Sequence, residues 1–528
     1  MDTTARVRKS IQQALGSTAR PIDLVQTNGT TPRGMVFAVD GRDVVVEDHL
    51  ETSPTAELTV DAAARSDRLP TRTVLLYGLP AIGLSLPNIL LGLYFFKFAT
   101  DVLYIAPGVM GLLIGLSRLW DAVSDPVVGY YSDRTQLRMG RRRPWMLVGG
   151  ITLAISIVLL WAPPAGLKGA GLTAWVAVGL LLLTTASTIF GVPYGALGAE
   201  LTTNHHDRTR LFAYQTVIGG VGTTLALGGF YLLMEAETPA ESWLGLGSRE
   251  VALGIAVIGA AIALASILTL VALIRERPDY RTRGPERIFG AFYDVFSNRH
   301  AQLLLFVFTV QTFGTASMGL LAAYLFQYIL KAPNWMAAVF VAAFVIPMVI
   351  SIPVWVRVSR RFGKARSYKA TLWVLGVLYC LIYFGLEEWH FEGHPGVIAF
   401  SCLAAGLLGI VSACGFVVAP SIKADIIDFD EYQTNERKEG AYLAAWSFVQ
   451  KSAAALAAVL LGAALQVVGY TPGEEQTGPA LFVIAALISI VPGGAYLVAA
   501  FVFRRFDLDE HEHARIRAVL DARAADVG

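Results

Sequence analysis

LWDAVSDPVVGYYSDRTQLRMGRRRPW, Leu119 to Trp145, places two aspartates four residues apart in a long apolar run and closes that run with arginines. A carboxylate surrounded by hydrocarbon is costly, so Asp121 and Asp125 read as functional groups on a membrane-spanning helix. They lie one turn apart on the same side, and Arg118 lies one turn before Asp121 on nearly that face.

Working outward, windows of about 20 apolar residues recur from about residue 74, the length a helix needs to cross a bilayer. Twelve are expected: roughly 74–99, 104–131, 145–165, 170–200, 211–235, 251–275, 302–330, 335–357, 367–388, 396–420, 441–469 and 479–503. Composition agrees, with 55% hydrophobic and 16% charged residues, against roughly 25% charged in soluble domains. The net charge of +1 gives no basic excess for a nucleic-acid partner. Cys380, Cys402 and Cys414 all lie in apolar runs, so no disulfide framework is indicated.

Basic residues orient the spans. Arg134, Arg138 and Arg141 to Arg143 follow span two, Arg275 to Arg299 follow span six, and Arg360 to Lys369 follow span eight, whereas the alternate connections are poor in Lys and Arg. Both termini are therefore expected in the cytoplasm of a cell-membrane protein. The even count and the long charged middle connection suggest two six-helix halves, 71–275 and 302–503, joined by a linker 276–301 and followed by a tail 504–528. That is an all-α membrane protein of the major facilitator plan, with a central cavity between the halves. Residues 1–70 lack the apolar core of a signal peptide. Within them, two β-branched runs around Asp40-Gly41 read as a hairpin or as a mobile tail with transient strands.

Lys451 on span eleven falls at a depth matching the two aspartates, about 15 Å from the cytoplasmic end, which makes an opposite-charge pairing across the halves natural. Two carboxylates beside hydroxyl or carbonyl oxygens can hold a small hard cation, and a proton can replace it. Permanent pairing of Asp121 with Arg118 is the structural alternative. Pro126, Pro193, Pro347, Pro353 and Pro492 are expected to interrupt helices, and His205 and His206 to be solvated cytoplasmic groups. The acids Asp425, Asp428, Asp430 and Glu431 are expected between spans ten and eleven, where no histidine or cysteine makes them a metal site. No phosphate-binding loop or nucleophile elbow is evident.

The runs Trp120 to Thr135, Gly140 to Trp145 and Ala424 to Lys451, with VPY (Val192 to Tyr194) and DRTRL (Asp207 to Leu211), resemble the glycoside-pentoside-hexuronide:cation symporters. The resemblance extends from about Tyr77 to Phe506. It implies a secondary transporter rather than an enzyme, with no cofactor, coupled to Na+ or H+ and working as a monomer on a small-molecule substrate. Asp121 and Asp125 match the cation-binding acids, Lys451 the family's lysine, and Ser447 a hydroxyl position one turn before it. The sugar-binding acids, tryptophan and arginine of the family are replaced by Ser85, Gly191, Gly195 and Thr216. Remaining pocket candidates are Asn88, Tyr194, Gln311, Tyr324 and Trp446, together with Ser85 and Thr216. A cavity stripped of charge also suits an amphiphile such as a lysophospholipid, which a branch of the family moves. The resemblance further implies a cytoplasmic gate in which Asp425, Asp428, Glu431 and Arg437 pair with Arg208 and one of Arg360 or Arg361. A non-transporting receptor, using residues 1–70 as a regulatory segment, is the remaining alternative.

Overall fold

The computed structural model describes residues 25–31, 34–39, 42–46, 69–202, 205–237, 245–276, 295–388, 395–436, 438–508 and 510–527. It divides into two units, one of residues 1–71 with 204–207 and one of the remainder. The first contains a three-stranded antiparallel sheet, β1 (Val25–Thr31), β2 (Gly34–Val39) and β3 (Arg42–Val46), in that order. β2 and β3 pair antiparallel from Met35 opposite Val46 to Val39 opposite Arg42; Asp40-Gly41 lies outside the described residues.

The second unit is helical. Its long helices are α1 (Thr71–Leu93, broken at Leu79), α2 (Pro107–Arg134), α3 (Arg143–Trp161), α4 (Gly169–Glu200), α5 (His205–Glu235) and α6 (Ser248–Leu273). There follow α7 (Arg299–Leu320), α8 (Trp335–Phe362), α9 (Lys364–Glu388), α10 (Pro395–Thr434), α11 (Glu439–Val467), α12 (Gly478–Phe503, broken at Ser489) and α13 (Glu510–Val527). Eleven helices among the described residues are long and apolar enough to cross a membrane. α2 is not one of them, although its 28 residues reach about 42 Å at 1.5 Å each. It carries Arg118, Asp121, Asp125, Asp133 and Arg134. The linker lies mostly outside the described residues, as does Arg437.

Start signals agree with the boundaries. Proline stands in the first turn of α2 and α3, where its missing N–H costs nothing. Asn298 caps α7 by accepting from the backbone N–H groups of His300 and Ala301 at 3.0 and 3.3 Å.

A repeat faint in sequence is plain in the backbone. Shortly after α1 comes a π-helical turn, Phe98–Val102, and shortly after α7 another, Leu325–Ile329. Each is followed by a residue at positive φ, Tyr104 at 58° and Lys331 at 45°. Each also has the same closing bonds, Ile105 N–H to Ala99 and Ala332 N–H to Phe326, both 2.9 Å. The helices that follow, α2 and α8, have 28 residues apiece, with Pro126 and Pro353 in register.

Three expectations are corrected. Pro126, Pro193, Pro347 and Pro353 do not interrupt helices: α2, α4 and α8 run through them, since a missing N–H removes one rung and leaves the others. Of the five, only Pro492 sits beside a break, at Ser489. Asp425, Asp428, Asp430 and Glu431 are not in a connection but in the last turns of α10, where Ile422, Ile426 and Ile427 continue its buried face. The segment after span twelve also folds: α13 packs on α10 and buries Ile516 and Leu520.

One apolar core lies wholly within 295–520, built around Tyr368, Tyr442, Trp446, Tyr496 and Phe503. α2 crosses from the other half to pack along α11. Glycine makes this approach possible: a Cβ on Gly111 would stand 2.3 Å from the Ala458 carbonyl, and one on Gly462 2.3 Å from that of Pro107.

Candidate functional site

The close α2–α11 seam brings together the charges singled out in the sequence. Lys451 Nζ lies 2.8 Å from Asp121 Oδ2 and also forms a short ion pair with Asp125 Oδ2. Side-chain exposures of 23%, 15% and 29% put these groups in a half-buried cleft rather than in the core or in open solvent. The other oxygen of each carboxylate faces Thr188 of α4, whose Oγ1 is 2.8 Å from Asp121 Oδ1 and 3.2 Å from Asp125 Oδ1. One hydroxyl proton can serve only one carboxylate at a time, so these oxygens share a single donor. Ser124 adds a hydroxyl 3.2 Å from that of Thr188.

Thr188 was not singled out in the sequence, because a threonine in an apolar helix is ordinary; only its distance to the acids marks it. Ser447 is half-buried and Arg118 is half-buried, and among the described residues neither makes a hydrogen bond or ion pair with the two aspartates. Asp121 therefore pairs with Lys451, not with Arg118, which lies on its own helix one turn away.

The pocket candidates separate. Tyr194 is buried and its hydroxyl donates to the Tyr77 carbonyl at 2.5 Å, while Tyr77 returns a bond to Tyr194's carbonyl at 3.2 Å, so both belong to α1–α4 packing. Tyr324 is also buried, its hydroxyl 2.6 Å from that of Thr100. Gln311 accepts from Tyr368 at 2.8 Å. Asn88 and Thr216 are exposed and bond carbonyls of their own helices, and Ser85 is half-buried. Trp446 is buried with its indole N–H unpartnered. Gly191 and Gly195 lie one turn apart on the face of α4 that carries Thr188, and nothing stands within 4 Å of where a Cβ would be on either.

Two of the acids of α10, Asp425 and Asp428, meet groups of α9 and α13. Asp425 holds Lys364 at 2.8 and 2.9 Å. Asp428 meets His513 at 3.1 Å and Arg517 at 3.4 Å, both from α13. Arg208 donates to the Ala199 and Thr202 carbonyls, and Arg360 and Arg361 are exposed at the end of α8. Across the N-terminal half, Glu276 accepts from the backbone N–H groups of Arg141, Arg142 and Arg143 at 2.7 to 2.8 Å, and Glu200 accepts from Arg141 and Arg142. Each of these pairings stays within one half.

The opposite end is different, and sequence reasoning passed over it. Lys97, with no exposed surface, forms a short ion pair with Glu237 and lies 3.3 Å from Asp101. Asp101 accepts from Tyr328 at 2.8 Å and Tyr470 at 2.6 Å, both on the other half. Burial, then the neighbouring Tyr324 and Asp101, push the Tyr470 phenol far up, so it stays protonated and donates. Asn334 adds a 3.0 Å bond to Glu235. The available signal was Lys97 and Asp101, charges four apart at the edge of span one.

A charged triad on two helices joined at glycine contacts, inside a repeated bundle whose halves are hydrogen-bonded together at one end, suits an ion-coupled carrier. Residues 76–510 match the family described as MFS/sugar transport protein. The chain belongs to that family. It is a multi-pass membrane symporter, not an enzyme, of the glycoside-pentoside-hexuronide:cation kind. It is 24% identical over 428 residues to the putative glycoside/cation symporter YagG of Escherichia coli, covering 80% of this chain and 88% of that one. It is 23% identical over 499 residues to the sodium-dependent lysophosphatidylcholine symporter 1 of Gallus gallus, covering 86% and 90%. The crystal structure of a D-xylose-proton symporter shares the fold with a TM-score of 0.59 at 14% identity, covering 82% of this chain and 96% of that one.

Proposed function

We propose that this symporter couples Na+ or H+ to movement of a sugar, glycoside or related organic solute, with the ion bound between Asp121, Asp125 and Thr188. The carrying observation is that Lys451 touches both aspartates while Thr188 faces their remaining oxygens. The three contacting charges sum to −1. One Na+ or one proton makes the group neutral, which lowers the cost of carrying it through an apolar barrier. Na+ would take carboxylate and hydroxyl oxygens, its preferred hard ligands. Lys451 competes for the same oxygens, so ion entry loosens its hold on α2 and shifts the balance between conformations.

In this reading α2 is the twelfth span, both termini lie in the cytoplasm, and the end sealed by Asp101 faces outward. The single chain works as a monomer, since both halves of the ion site come from it. The acids of α10 and the basic groups near them form the inner gate when the cavity opens outward, and their pairing within one half suits an inward-open state. Open space beside Gly191 and Gly195 next to the ion site supports a substrate cavity there. That same open space, with the lysophosphatidylcholine symporter among the chain's relatives, supports an amphiphile as the second reading.

Thermal unfolding of the purified protein in Na+ against choline, across pH 5 to 8, tests the ion site. Na+ or acidification is expected to raise Tm for the parent protein but not for Asp121→Asn or Asp125→Asn. An undiminished ion response in both variants overturns the assignment.

A further inference from the structure

Six cations and no acid stand in the stretch from Arg357 to Lys369, the end of α8 and the start of α9. The N-terminal half treats its arginines differently. After α2, Glu200 holds Arg141 and Arg142, Asp133 also holds Arg142, and the two arginines are only 7% and 5% exposed. The register that sets Pro126 against Pro353 puts Arg360 where α2 has Asp133, so an acid is replaced by a further cation. Of the six, only Lys364 meets a carboxylate among the described residues, that of Asp425. Arg357, Arg360, Arg361 and Arg366 are exposed and meet none.

Three of these cations, Arg361, Lys364 and Arg366, line a cleft of about 220 Å3 that the α8–α9 turn shares with Asp425 of α10 and Glu510 of α13. Both acids are turned to Lys364: Asp425 holds its ammonium, and Glu510 accepts its backbone N–H at 2.9 Å. Arg361 and Arg366 are left as the unbalanced charges of the wall. Guanidinium groups bind phosphate oxygens in pairs, so the cleft offers a donor set for a phosphate.

The face of α9 that begins with Arg366 continues as hydrocarbon. Ala370, Val374, Val377, Leu381 and Phe384 follow at helical spacing, and the last four are 46 to 65% exposed. Beside this face Arg504, at the end of α12, lies over the ring of Trp373 at 4.9 Å. Tryptophan collects at the headgroup level of a bilayer, and Arg366 is seven residues further out, about 10.5 Å along the axis. A negative head at the arginines and acyl chains on the stripe below are the two ends of one molecule.

We propose that the α8–α9 turn binds an anionic phospholipid of the bilayer, with its phosphate on Arg361 and Arg366 and its acyl chains along α9 from Val374 to Phe384. The lipid supplies to the C-terminal half the negative charge that Asp133 and Glu200 supply to the other. The ion site lies on α2, α4 and α11, so the two assignments stand or fall separately.

The test titrates the full-length protein, purified and stripped of lipid in a neutral detergent, with three probes at constant ionic strength: dioleoyl phosphatidylglycerol, dioleoyl phosphatidylcholine and sn-glycerol 3-phosphate. Binding is read by native mass spectrometry and by thermal shift. Phosphatidylglycerol is expected to bind at least about tenfold more tightly than phosphatidylcholine, at roughly fivefold per unbalanced arginine. Arg361→Gln with Arg366→Gln should bring that ratio below about threefold, and lysine at both positions should retain most of it. Arg138→Gln with Arg515→Gln makes the same change in net charge at two other exposed side chains and should leave the ratio unaltered. Equal binding of the two lipids, or a ratio unchanged in the Arg361 and Arg366 variant, overturns the proposal. An equal loss in the Arg138 and Arg515 variant reduces the effect to overall charge and overturns it too. Displacement of the lipid by an equal concentration of sn-glycerol 3-phosphate would make this a site for a soluble phosphate and overturn the lipid assignment.

Discussion

The segments from Tyr94 to Arg134 and from Leu321 to Phe362 repeat one backbone and carry opposite chemistry. Both make a π turn, pass a positive-φ residue and enter a 28-residue helix with proline in register. The step along the chain that takes Phe98 to Leu325 takes Asp101 to Tyr328, Asp121 to Met348 and Asp125 to Ile352. At the sealed end the difference is complementary, since Tyr328 donates to Asp101, its own counterpart. Deeper down it is one-sided: α2 keeps two carboxylates and α8 has none. A shared fold thus supplies the shape twice, and only one copy supplies the charge.

The strongest way to break the comparison is to strip α2's acids of their partner. Lys451→Met leaves two adjoining carboxylates unpaired and should cost about 3 kcal/mol, the low end for broken buried pairs given their partial exposure. Na+ should restore most of that loss in thermal unfolding, and a defect indifferent to Na+ would remove the ion from the account. Next, Met348→Asp gives α8 the acid it lacks without an established lysine or threonine to meet it. A loss of about 2.5 kcal/mol is expected, and Na+ should not relieve it; sodium rescue here would mean that the repeat, not the partners, makes the site. The smallest effect belongs to the seal. Tyr328→Phe removes one of two phenols from Asp101 and should weaken the closed end by about 1.5 kcal/mol. Faster hydrogen–deuterium exchange of the turns Phe98–Val102 and Leu325–Ile329 than in the parent protein would show it.

Much of the site was legible because charge within apolar windows is rare: Asp121, Asp125 and Lys451 stand out in any reading of the chain. Thr188 did not, since hydroxyls in such helices usually bond their own backbone carbonyls, as Thr184 and Thr216 do. Tyr194 and Tyr324 are pocket candidates that, each taken alone, read more readily as packing groups, and in the structure they bond Tyr77 and Thr100. The partners expected for Asp425 and Asp428 came from loop positions, whereas α13 folds back and brings His513 and Arg517 to Asp428.

Sequence alone determined that the chain spans a membrane as helices, and which apolar runs carry charge. Hydropathy and charge are properties of about twenty consecutive residues, the length that crosses a bilayer. It was the tertiary structure that decided which charges meet and at which end the two halves are hydrogen-bonded together. Those outcomes turn on helices far apart in the chain approaching closely enough for an ammonium to touch two carboxylates. Along α2 and α11 that approach is set by Gly111 and Gly462, where a single methyl group would stand 2.3 Å from a carbonyl.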